Sequence, residues 1–349
     1  MHMEKQRLRP FILALIAATL FGAATPLSKS LLADIGPFQL SGLLYLGAAL
    51  GVLPLLQRGG KIAAPWRMER HTRRLLLGAI FFGGMVGPVW LLVGLRLASA
   101  ASVSLWLNLE AVATALLGFF FFHDRLGRNG WIGAGGILLS ALLLTWGQGV
   151  AGWAAGLLVA AACFCWGLDN HLTALIDGIT PAESTFWKGL LAGTVNLGIG
   201  IVVEPFNANL WQISLALVTG VFAYGLSITL YIGAAQTLGA TRSQLVFSTS
   251  PYFGILLSVL LLHESLTLTQ VVSAVLVGIC VALLTIEWHG HDHDHPAFEH
   301  EHWHDHADPH HGHAYSVTTE STNHSHRHLH TPLVHTHRHW PDLHHRHEH

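Results

Sequence analysis

The chain has 349 residues, 51% of them hydrophobic and only 11% charged, and its mean hydropathy is +0.46 although its last 61 residues are strongly polar. Eighteen basic against 20 acidic residues give a formal net charge of −2, which excludes a basic nucleic-acid surface. So few charges also exclude an ordinary soluble domain and predict a polytopic membrane protein, with 36 glycines suited to close helix packing and 12 tryptophans suited to the headgroup boundary.

A helix needs about 20 residues to cross roughly 30 Å of hydrocarbon. Apolar runs between Gly, Pro and charge breaks predict ten spans, at 11–32, 37–57, 75–96, 99–122, 130–147, 152–175, 182–203, 211–236, 241–262 and 268–287. The first follows Lys5, Arg7 and Arg9 as a secretory signal would, but nine more spans follow and its sequence recurs, so it reads as a retained helix. Arg58, Lys61, Arg67, Arg70, Arg73 and Arg74 lie between the second and third spans, Arg125 and Arg128 between the fourth and fifth, and Arg242 between the eighth and ninth. With ten spans these share one side, and Lys29 and Arg96 lie near the other. The positive-inside rule therefore puts both termini in the cytoplasm; the membrane expected is a bacterial-style inner membrane. All three cysteines, Cys163, Cys165 and Cys280, fall inside apolar spans, and no disulfide framework is expected.

The two halves repeat. Leu116, Leu117, His123, Asp124 and Leu126 recur 140 residues later as Leu256, Leu257, His263, Glu264 and Leu266. Phe21-Gly22, Pro26, Leu27 and Ser28 recur at a slightly larger shift as Trp166-Gly167, His171, Leu172 and Thr173. Five spans per copy is an odd number, so the second copy enters the membrane inverted. Such repeats place a solute site near mid-membrane between them. The expected fold is an all-α membrane protein of ten transmembrane helices in two inverted five-helix repeats. Its divisions are an N-terminus at 1–10, repeats at 11–147 and 148–287, and a disordered His-rich tail at 288–349.

The pattern from Phe21-Gly22 through Pro26 to Lys29, and the paired endings LLGFFFFHDRLGRNGWIGAGGILL and LLSVLLLHESLTLTQVVSAVLVGI, resemble the EamA repeats of the drug/metabolite transporter superfamily over residues 11–287. The family's usual Gly-Glu-Arg after the fourth helix reads here as His123-Asp124-Arg125 and His263-Glu264-Ser265. The resemblance implies a ten-helix carrier without ATPase machinery, often an exporter, with a cavity between the repeats. It implies a solute-facing role for Lys29, whose stem could otherwise simply snorkel to the boundary.

Glu110, two residues after Asn108, lies near the centre of the fourth span. An ionised side chain there costs on the order of 2.5–3.5 kcal/mol, so it should face a cavity or a partner. The functional reading is proton or cation binding; the structural one is a protonated, packing carboxyl. Its counterpart 140 residues on is Ser250, beside Pro251. A second polar cluster, Asp169-Asn170-His171, lies in the cytoplasmic third of the sixth span. On a regular helix Asp169 and His171 point about 200° apart, so one ion touches both only if the helix unwinds near Gly167. Cys165 shares the face of Asp169, and Cys163 does not. Tyr45, Tyr224, Gln236 and Tyr252 are further candidates for a cavity wall or for packing.

The tail carries 22 of the 27 histidines. They recur as His-x-His: His289, His291, His293 and His295; His300, His302, His304 and His306; His324, His326, His328 and His330; His335, His337 and His339; His345, His347 and His349. Alternate residues of an extended chain point to one side, so neighbouring imidazoles can close on one ion. This suits Ni, Co, Zn or Cu(II), with Asp292, Asp294, Glu299 and Glu301 as harder ligands. A pH sensor is the competing reading, since imidazole titrates near 6.5.

No phosphate-binding glycine loop or nucleophile constellation is present, and no enzymatic role is expected. The leading expectation is a secondary exporter of a divalent transition metal such as Ni, Co or Zn, with Glu110, Asp169 and His171 forming or gating the membrane site. The runner-up is an exporter of amino acids or other small metabolites whose tail buffers metal; the third is a membrane metal sensor without transport. No cofactor is expected beyond the metal as ligand or substrate. Expected partners are the lipid bilayer, the solute and copies of the chain in a homo-oligomer.

Overall fold

A computed structural model of the chain describes residues 2–59, 64–122, 127–146, 149–285, 289–295, 298–305, 323–330 and 333–339. Among the described residues ten helical passes form the body: α1 (Pro10–Leu31), α2 (Pro37–Leu56), α3 (Arg70–Leu97), α4 (Ala100–Phe121), α5 (Arg128–Trp146), α6 (Gly149–Ala174), α7 (Pro181–Val203), α8 (Leu210–Leu238), α9 (Ala240–Leu262) and α10 (Leu268–Thr285). The first nine are long and apolar enough to cross a membrane, and the last holds a shorter apolar stretch, Leu268–Leu283. Boundaries agree with hydropathy to within a few residues. The largest shift is at α3, which starts at Arg70 rather than 75 because Arg70, Arg73 and Arg74 extend the helix past its apolar part.

The irregularities of the helices repeat as the sequence does. α3 widens to a π-helix over Ile80–Val86, closed by the Gly87 N–H on the Phe82 carbonyl; α8 does so over Gly220–Leu226, closed by the Ser227 N–H on the Phe222 carbonyl. Each of these positions is displaced by 140 residues (80 to 220, 87 to 227). α4 breaks at Leu107-Asn108 and resumes at Leu109; α9 breaks at Ser248-Thr249 and resumes at Ser250. The first helices differ: α1 is interrupted at Ala23, whereas α6 runs unbroken from Gly149 to Ala174. The unwinding near Gly167 that one ion would need to touch both Asp169 and His171 is therefore absent, and that glycine serves packing rather than a kink.

Gly167 lets α6 approach α4 of the other repeat so closely that a Cβ there would lie 2.9 Å from the Thr114 nitrogen. Gly22 does the same for α1 against α9, where a Cβ would meet Phe253 Cβ at 2.5 Å and the Ser250 carbonyl at 2.8 Å. The first helix of each repeat thus packs on the fourth helix of the other. α2 and α7 pack across the middle through small residues such as Gly42, Gly189, Gly193 and Gly200, and α5 and α10 pair at the edge. Without a hydrophobic drive between helices in lipid, such close approach supplies the dispersion energy that holds them together.

Composition predicts no regular structure in the tail, yet its described backbone forms four strands: β1 (His289–His295), β2 (Phe298–Asp305), β3 (Asn323–His330) and β4 (Leu333–His339). β1 pairs antiparallel with β4 and β2 with β3. The alternation of His with other residues matches the two-residue period of a strand. His306, His345, His347 and His349 lie outside the described residues, as do His123, Asp124, Arg125 and Leu126 of the first paired ending.

Candidate functional site

A cavity lies between the repeats and is lined by α1, α2, α4, α6, α7, α8 and α9. Its apolar wall is a continuous aromatic train. Phe21 packs on Trp166 at 6.1 Å, on Tyr224 at 5.5 Å and on Phe247 at 5.2 Å; Tyr45 packs on Tyr224 at 5.3 Å and Tyr231 on Phe247 at 5.0 Å. Ile228 and Ile232 complete it.

Glu110 enters the cavity from the first turn of the half-helix Leu109–Phe121. The break before that turn gives the carboxylate the positive end of a helix dipole, a stabilisation an unbroken α4 would withhold. Asn170 Nδ2 donates to Glu110 Oε1 at 2.9 Å and lies 3.2 Å from both Thr114 Oγ1 and Gln244 Oε1. With two hydrogens for three acceptors, Asn170 ties α4, α6 and α9 together.

Beside Glu110 stands a buried ion pair. Lys188 Nζ donates to both oxygens of Asp169, at 2.6 and 2.7 Å, and Thr173 Oγ1 adds a bond to Asp169 Oδ1 at 2.8 Å. The pair seats against the π-helical stretch of α3, where a Cβ on Gly83 would strike Asp169 and one on Gly84 would reach 3.2 Å from Lys188 Cγ. Widening the helix leaves carbonyls to be satisfied from outside it. Gly83 O accepts from Tyr45 Oη at 2.5 Å and Trp166 Nε1 at 3.0 Å, while Asn196 Nδ2 lies 3.2 Å from the carbonyls of Gly84 and Met85.

Of the residues expected to line the cavity, Glu110, Asp169 and Asn170 do so. His171 points away from Asp169, as a regular helix requires: its Nε2 is 2.8 Å from the Thr114 carbonyl and its ring stacks on Phe122 at 4.3 Å. Asn108 sits at the break in α4 and donates to the Leu105 carbonyl at 3.2 Å, leaving its Oδ1 buried without a partner. Ser250 is buried in the first turn after the break in α9, where its carbonyl faces Gly22. Lys29 stands outside the cavity; its Nζ donates to the carbonyls of Leu95 and Ala98 at 2.7 and 2.9 Å. The last turn of α3 is the negative end of a helix dipole, which draws the ammonium there. Cys163 and Cys165 are buried off the cavity, and Gln236 binds the Ile176 carbonyl at 3.1 Å. Among the described residues no three of His, Cys, Asp and Glu gather as a metal-ligand set.

Lys188 escaped the sequence reading although it is a cation inside an apolar span, the kind of residue that should have been paired with an acid at once. The signal lay in Asp169 and Lys188 being near the adjoining ends of consecutive helices. Phe21 and Trp166 were marked only as corresponding positions of the two repeats, and Tyr231 and Phe247 carried no signal beyond being aromatic.

The cavity lies between the middle of the helices and the end that carries the α6–α7 connection and the start of α1. The opposite face is tied shut across the repeats. Gln39 Nε2 donates to the carbonyls of Gly200, Glu204 and Pro205 at 3.1, 2.8 and 3.2 Å, Arg96 lies 3.7 Å from Glu204, and Gln212 Nε2 donates to Asp34 at 2.5 Å. Glu264 accepts from the N–H groups of Ala100 and Ala101, both at 2.9 Å, capping α4 from the other repeat.

Residues 8–146 and 153–286 each match the EamA-like transporter family. The chain is 26% identical over 310 residues to an uncharacterized transporter of Methanothermobacter thermautotrophicus, covering 82% of this chain and 88% of that protein. It is 27% identical over 277 residues to an uncharacterized transporter of Synechocystis, covering 72% and 82%. A crystal structure of a protein 19% identical in sequence superposes with a TM-score of 0.61 over 79% of this chain and 96% of that one, a likeness of fold.

Proposed function

From the premise that the chain belongs to the EamA-like transporter family, and is therefore a multi-pass membrane transporter, we propose that it is a secondary-active exporter of a small organic amine. The observation that carries this reading is a cavity built by both repeats in which one acidic side chain, Glu110, faces an aromatic wall while the neighbouring charges of Asp169 and Lys188 cancel each other. A carboxylate among ring faces favours a cation with an apolar body, bound by charge and by cation–π attraction. Proton exchange at Glu110 is the drive, the carboxyl taking a proton when the amine leaves.

The basic loops support a reading in which the cavity-side face is cytoplasmic in an inner membrane; on that reading the tied face is the outer one and the state is open to the inside. A bare Ni, Co or Zn ion is less well served by this cavity, where Glu110 and Asp169 stand without His171. The His-x-His tail supports metal binding of its own, as a cytoplasmic buffer or regulator. The test is flux in proteoliposomes under an imposed proton gradient, with labelled amines and amino acids in one series and nickel, cobalt and zinc in the other. Gradient-dependent movement of amines alone is expected. Movement of the metals alone would overturn the amine reading in favour of metal export, and no movement of either would overturn transport as proposed.

A further inference from the structure

Several of the polar groups that line the cavity are engaged. Asp169, Lys188 and Thr173 bond one another, Asn170 holds Glu110, and the Tyr45 hydroxyl is bound by the Gly83 carbonyl. Tyr231 differs: it lines the cavity from α8, its residue is 6% exposed, and its hydroxyl is buried with no hydrogen-bond partner. Its ring packs on Phe247 with centroids 5.0 Å apart. Other partnerless buried hydroxyls, those of Ser28, Ser104, Ser184, Thr219, Ser243 and Ser273, lie off the cavity lining. Serine and threonine hydroxyls can turn back to a helix carbonyl, whereas a tyrosine hydroxyl stands a full ring away from its own backbone.

We propose that Tyr231 determines specificity by donating its hydroxyl proton to an oxygen acceptor that the solute carries near its amine. The inference rests on the amine reading of the same cavity and sharpens it. Glu110 takes the cationic end, the aromatic wall takes the apolar body, and Tyr231 reads a carboxylate or carbonyl oxygen. A site built to hydrogen-bond a substrate group discriminates against the analogue lacking it, because binding that analogue leaves the buried group still unpaired.

Leucine and isoamylamine differ only in the carboxylate, and so serve as probes. In proteoliposomes the wild-type protein should take up leucine with a KM about tenfold below that of isoamylamine. Tyr231→Phe should raise the leucine KM about tenfold, leave the maximal rate near wild type, and leave isoamylamine unchanged. An equal loss for both probes, or no loss for either, overturns the role of Tyr231 while leaving the amine reading standing. A wild-type protein that moves neither probe overturns the amine reading and this inference with it. Should Tyr231→Phe fail to fold, as judged by its melting temperature in detergent, calorimetric binding of the two probes to the wild type decides: equal affinities overturn the proposal.

Discussion

At the scale of residues, Glu110 and the Asp169–Lys188 pair use the low dielectric differently. Glu110 is a single acid offset by a helix N-terminus and one amide, whereas Lys188 and Asp169 neutralise each other. Glu110→Gln keeps an acceptor for Asn170, so folding should persist while proton-driven flux falls by about tenfold or more. Unchanged gradient-driven flux in proteoliposomes would remove Glu110 from the mechanism. Lys188→Met alone leaves Asp169 as an uncompensated buried charge, a loss of about 3–5 kcal/mol. Adding Asp169→Leu should restore most of the stability without restoring transport. Melting temperatures of the two single variants and the double variant in detergent check this, and additive losses would refute the coupling.

At the scale of elements, glycine spacing and helix breaks carry the argument. Gly22 and Gly167 occupy matching contacts, α1 on α9 and α6 on α4, so Gly22→Leu and Gly167→Leu should each destabilise the protein by about 1–3 kcal/mol through overpacking. A variant that melts as the wild type does would show that the contact yields easily. The span positions were legible in the sequence because apolar run length is set by the bilayer. The breaks in α4 and α9 and the π-helical stretches of α3 and α8 were not, since they lie inside uniformly apolar runs where hydropathy is blind to backbone register. Proline gives no consistent clue: Pro88 follows the π stretch of α3, but no proline follows that of α8 within its helix.

At the scale of the whole molecule, ten antiparallel passes put Pro10 and Thr285 on the same face, and the proposed orientation, with that face cytoplasmic, rests on the positive-inside rule. After replacement of the three buried cysteines, Asn207→Cys should react with a membrane-impermeant maleimide from outside intact cells, and Glu69→Cys only after permeabilisation. The reverse pattern would invert the direction of export. The sequence by itself determined the membrane class, the ten spans, the duplication and the need for Glu110 to avoid lipid, because each follows from composition, periodicity or the energy of one group in hydrocarbon. Only the tertiary structure decided that Lys188 answers Asp169, that Lys29 caps α3, that His171 turns away from the cavity and that Tyr231 is left with an unmet hydroxyl. Those facts depend on which helices adjoin and how far each is rotated, and a lone apolar run contains no information about its neighbours.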